Sequence, residues 1–139
     1  MSEYLKYNIS FYQNLGKLFY AIAAADKVVK AEELTKLQEL IENDLLTSHI
    51  VNAESKADAQ NAIINTFVWL DNDNEYNAEA CYNSFVSFLD ENRALFSNEI
   101  NSVIMKIAGK ISSSFSGQNK SELIMLAKLN LELKKQHAD

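Results

Sequence analysis

The chain has 139 residues, 47% of them hydrophobic and 23% charged, with a net charge of −6. That length fits a single domain, residues 1–139, with enough apolar material for a core, and it excludes disorder as the ground state. The acidic balance argues against a general nucleic-acid binder, which needs a basic surface to release counterions from phosphate, and it fits cations or basic partners better.

Three glycines and no prolines leave too little turn punctuation for a sheet protein, so the expected fold is all-α. The first helix is predicted from about Tyr4 to Ala25, where Leu5, Ile9, Tyr12, Leu15, Phe19 and Ile22 recur at three- and four-residue steps. Gly16 interrupts this stripe at a cost of about 1 kcal/mol relative to alanine, which points to a close helix contact. After a polar break at Asp26 to Lys30, a second helix carries Leu34, Leu37, Ile41 and Leu45. A third opens at Ser55 and runs through Ala59, Ile63, Phe67 and Leu70. Asn77 can cap a fourth, with Tyr82, Phe85, Phe88 and Leu89, that ends near Phe96. Ser97 can cap a fifth, with Ile100, Val103, Ile104, Ile107 and Ile111. A second break follows at Ser112 to Gln118. Asn119 and Glu122 then resemble a capping box for a sixth helix, about Lys120 to Lys135. Six amphipathic helices with short connections imply a compact bundle.

The two ends of the chain echo each other. Leu18, Ile22 and Ala23 precede one break, after which Glu33, Leu34, Leu37 and Leu40 begin a helix. Val103, Ile107 and Ala108 precede the other, after which Glu122, Leu123, Leu126 and Leu129 do the same. The spacing from Ile to Glu is four residues longer in the second case, as a loop insertion would produce. The pattern is that of two helix-loop-helix halves around a middle pair.

The run from Leu18 to Leu40 resembles the signature of the TerB-like tellurite-resistance domain family. In that family an apolar helix ends in an Ile-Ala-x-Ala-Asp run, and a turn leads to Glu and a second helix. The corresponding residues are Ile22-Ala23-Ala24-Ala25-Asp26 and then Ala31-Glu32-Glu33-Leu34. The resemblance implies an all-α domain of two related halves. It also implies weak binding of a divalent cation such as calcium by acidic loop residues, a part in stress and metal resistance, and protein partners in membrane-linked complexes. The residues that carry over are Asp26 and Glu33, with Glu32 nearby, and Glu122 in the second half. Two departures weaken the match. Lys27 stands where the family commonly has Gly, and Phe115 stands seven residues before Glu122, where an Asp would complete the second set. The alternative is a metal-free interaction or scaffold module on the same fold.

A second acidic candidate is Asp71-x-Asp73-x-Glu75, which resembles the start of an EF-hand loop. The match fails at the sixth position, Tyr76 rather than Gly, and at the twelfth, Tyr82 rather than Glu. A plain acidic loop explains those residues better than a cation site. Likewise, a helix's first turn favours Glu32 and Glu33 without any metal.

No nucleophile elbow, phosphate-binding glycine loop or zinc-hydrolase motif is present, so neither an enzyme nor an organic cofactor is expected. His49 and His137 read as surface residues. Cys81 is the only cysteine and falls in an apolar-patterned stretch, as a core thiol would. Trp69 and the tyrosines read mostly as core, although aromatic anchors also line partner grooves. The start Met1-Ser2-Glu3-Tyr4 lacks the pattern of a signal peptide, and no apolar run approaches the ~18 residues of a membrane span. The expected location is the cytoplasm.

Overall fold

The computed structural model describes residues 7–25, 29, 31–46, 51, 56–73, 77–114 and 120–135. Six α-helices follow one another: α1 (Ile9–Ala23), α2 (Ala31–Leu40), α3 (Lys56–Asn72), α4 (Ala78–Glu91), α5 (Asn98–Ser114) and α6 (Lys120–Lys134). The described residues contain no strand, and the chain is an all-α bundle. No helix among them is long and apolar enough to cross a membrane.

α1 is the hub. Eleven of its 15 residues are buried, including Phe11, Leu15, Leu18, Phe19 and Ile22. From Leu18 to Ala23 every residue is buried, a stretch that neighbours must wrap on all sides, and α3, α4, α5 and α6 all pack against α1. α3 comes close to α1 at Gly16. A Cβ built there would lie 2.7 Å from the Ile63 carbonyl oxygen and 2.9 Å from Thr66 Cβ, so only glycine fits. α2 packs against α5, as does the π-helical turn Ile41–Leu45 that extends it. That turn carries Asp44, whose carboxylate meets Lys110 Nζ at 3.0 Å and Lys106 Nζ at 3.5 Å on α5.

Helix ends are closed by side chains. Asn8 Oδ1 accepts from Phe11 N at 2.9 Å to start α1, and Asn77 Oδ1 accepts from Ala80 N at 2.7 Å to start α4. Ser97 Oγ accepts from Ile100 N at 3.3 Å at the start of α5. The expected caps Ser55 and Asn119 lie outside the described residues. At the far end of α6, Arg93 Nη1 donates to the Glu132 carbonyl at 2.7 Å, and Asn101 Nδ2 donates to that of Leu133 at 3.2 Å. These bonds add partners for carbonyls of the last turn, where the Glu132 carbonyl also accepts from Lys135 N at 3.3 Å. Tyr7, Phe11, Tyr12, Phe88 and Phe96 form an aromatic cluster beside them, with ring centroids 4.2–6.4 Å apart.

Three sequence expectations need correction. Ile9 is on the solvent side of α1, 48% exposed, because α1 begins there rather than near Tyr4. Trp69 is 55% exposed rather than core. The four extra residues in the second echo are helix, not loop. α1 stops one residue after Ile22, whereas α5 runs on to Ser114, well past Ile107.

Candidate functional site

The acidic candidates have unequal fates. Glu32 is exposed on the first turn of α2. Glu33, beside it, is buried. Glu122 holds the same third position in α6 and is completely buried. On α5, Ser112 Oγ donates to Glu122 Oε1 at 3.5 Å. The echoed glutamates are therefore structural counterparts, each drawn inward at the start of its helix. Asp26 and Glu75 lie outside the described residues, as do His49, Phe115 and His137.

Asp71 is exposed near the end of α3, and Asp73 is half-buried just beyond it. Although the residue is exposed, the loss of some hydration around its carboxyl, and then the negative charge of Glu33, push that carboxyl above its ordinary range. The two acidic segments that the sequence keeps apart thus come within electrostatic reach of each other. Tyr20 belongs to the same locus. Its hydroxyl is pushed up by burial, then by Asp71 and by Cys81. Cys81 is a core thiol, as its sequence context implies, and its pKa is raised by burial against a smaller opposing pull from Lys17.

Chemically this locus offers two carboxylates and a phenol. Hard cations need six or more oxygen ligands. Among the described residues, no three His, Cys, Asp or Glu side chains are placed to hold a metal ion, so Glu32, Glu33 and Glu122 do not form one centre.

The sequence reading overlooked the outer face of α6. Leu123, Ile124 and Leu131 are 48%, 49% and 66% exposed, while Leu129 and Leu133 on the opposite side enter the core. The signal lay in the composition of the segment, whose apolar residues outnumber what one buried stripe can hold. Beside this face is a notch of about 210 Å³ between α4 and α6, bounded by Ala25, Ala78, Tyr82, Ile124, Met125 and Lys128. Lys128 Nζ lies 5.7 Å from the centre of the Tyr82 ring. Tyr82 is buried, its hydroxyl makes no hydrogen bond among the described residues, and burial followed by the charge of Glu132 pushes its pKa up to about 12. A larger groove, about 880 Å³, lies between α5 and α6 and is lined by Asn98, Asn101, Ser102, Lys106 and Asn130.

No family model, curated protein or solved structure matches the chain.

Proposed function

We propose that the chain is a helical partner-binding module that uses the outer face of α6. The observation carrying this reading is the row of Leu123, Ile124 and Leu131, three large apolar side chains about half exposed or more on one helix. Single exposed leucines are ordinary on a protein surface. Residues seven and eight apart share one side of a helix, however, so Leu131 lies on the face of Ile124 and Leu123, and exposed Ala127 joins them into an apolar strip of the kind that partners cover.

A photo-crosslinking side chain placed at 131 in the native host tests this. Adducts at 131, and none from the same group at exposed Asn65 on α3, support the reading. Absence of adducts at 131, or equal adducts at both positions, refutes it.

A second reading joins the TerB-like resemblance, which carries Asp26 and Glu33, to the separate acidic segment at Asp71: a weak site for a divalent cation at the locus of Glu33 and Asp71, together with the family's part in metal stress. The observation favouring it is the electrostatic reach between Glu33 and Asp71, since a cation would relieve their repulsion. A cation at a hundred times its dissociation constant stabilises the fold by about 2.7 kcal/mol. For this chain that raises the melting midpoint by roughly 9 °C. No shift in millimolar calcium or magnesium against chelator sinks the cation reading. If a shift occurs, Asp71→Asn and Asp26→Asn should each reduce it.

A further inference from the structure

We propose that the outer face of α6, with the notch beside it, docks an amphipathic helix whose flanks are acidic. This rests on the reading of that face as a partner surface and adds the chemistry of the partner.

The charged residues of α6 that border the strip are lysines, although the chain as a whole is acidic. On a helix turning 100° per residue, Lys120 and Lys134 fall at the two ends of the strip made by Leu123, Ile124, Ala127 and Leu131, and Lys128 flanks it. All three lysines are exposed and form no ion pair among the described residues. Local positive charge beside an apolar strip, on a chain of net charge −6, makes this a face that acidic groups can approach. Glu79, which also borders the notch, limits positive charge on the α4 side. The partner's carboxylates are therefore expected over Lys120, Lys128 and Lys134.

The same pattern disfavours two other occupants. In a second copy paired antiparallel about Ala127, Lys120 would oppose Lys134 at both ends. In a parallel in-register pair, each lysine would meet itself. Like charges held together at an interface oppose association. An anionic membrane would attract the three lysines, but an extended surface also meets the field of the whole acidic molecule. A helix meets only the strip. α6 has 15 residues, about 22 Å of helix, and so accommodates about four turns of a partner, one apolar side chain of which can enter the notch.

Fluorescence anisotropy of the full chain with two labelled synthetic helices tests this. One carries leucine along its seam with glutamate at the flanks. The other has lysine in place of each glutamate. The acidic peptide should bind and the basic one should not. Leu131→Ser and Lys128→Glu alter exposed positions and should keep the fold, checked by an unchanged melting midpoint. Each should weaken the acidic peptide about tenfold or more.

Several results overturn the proposal: no binding of the acidic peptide, equal binding of both peptides, or an affinity unchanged in Leu131→Ser. So does sedimentation with phosphatidylcholine–phosphatidylglycerol vesicles, or self-association, that Leu131→Ser abolishes. If the basic peptide alone binds and Leu131→Ser removes it, the acidic chemistry is wrong while the docking face survives. If neither peptide binds and position 131 forms no specific adduct in the host, both readings fall.

Discussion

Replacing Gly16 with alanine should destabilise the protein, and replacing Gly109 with alanine should stabilise it. Both glycines are inside helices, so each substitution gains the same intrinsic helix preference, about 1 kcal/mol. They differ in what the new methyl group meets. At Gly109 nothing lies within 4 Å of the added carbon. At Gly16 it meets the Ile63 carbonyl oxygen at 2.7 Å and Thr66 Cβ at 2.9 Å. Neither can rotate away as the tip of a long side chain could, so α1 and α3 must separate. Overpacking of this kind costs about 1–3 kcal/mol, and backbone contact places Gly16 at the upper end. The net expectation is a loss of about 2 kcal/mol at Gly16 and a gain of about 1 kcal/mol at Gly109. With an unfolding entropy near 2.1 cal/mol/K per residue, each kcal/mol shifts the midpoint by roughly 3 °C. Circular dichroism melts should therefore place Gly16→Ala about 7 °C below the parent and Gly109→Ala about 3 °C above it. Because the propensity gain is common to both, their separation isolates the clash. Adding Thr66→Ser to Gly16→Ala should recover little, since the carbonyl remains. A Gly16→Ala protein melting at or above the parent would refute the argument.

Ile22→Ala should cost about 2–5 kcal/mol, while Ile9→Ala should stay within about 0.5 kcal/mol, as denaturant titration can measure. Tyr82→Phe removes a buried hydroxyl that makes no hydrogen bond among the described residues and should be neutral or stabilising by up to about 1 kcal/mol; a clear loss would mean the hydroxyl has a partner. Tyr12 and Tyr82 both have pKa values pushed up to about 12 by burial. The stability they contribute is complete below about pH 10 and lost as pH climbs through about 12. Phenolate absorbance should show these two ionising late, together with unfolding. Asp71 has the same sign in acid. Its raised pKa means that the fold opposes the ionised form, so its contribution is full below the ordinary carboxylate range and is lost as pH rises. Asp71→Asn should therefore raise the midpoint at neutral pH, and the advantage should vanish in acid.

The number of helices, their order and much of the core were readable from periodicity. Leu15, Phe19 and Ile22 on α1, and Ile63, Phe67 and Leu70 on α3, are all buried as their spacing required. The caps Asn77 and Ser97 were readable because a short polar side chain preceding an apolar run has one obvious use. Ile9 was misplaced because the stripe continues past the point where Asn8 starts the helix. The α2 and α3 segments gave no hint that Glu33 acts on Asp71, since that pairing spans residues far apart in sequence and is set by how the helices pack. The face on α6 was missed for a different reason. Period alone treats every leucine as core, and only the packing shows that Leu129 and Leu133 fill the available space, leaving Leu123 and Leu131 outside.

The wrapping of α1 has a consequence for biosynthesis. α1 leaves the ribosome before any of α3, α4, α5 and α6, which together cover it. Until the last of them is made, part of the apolar surface of α1 has only water beside it. Isolated helices of about this length are marginal, and exposed apolar segments aggregate. The nascent chain is thus most vulnerable through its earliest helix for most of its synthesis. Substitutions that weaken α6 should reduce the yield of soluble protein more than their effect on the finished fold accounts for, because α6 completes the cover.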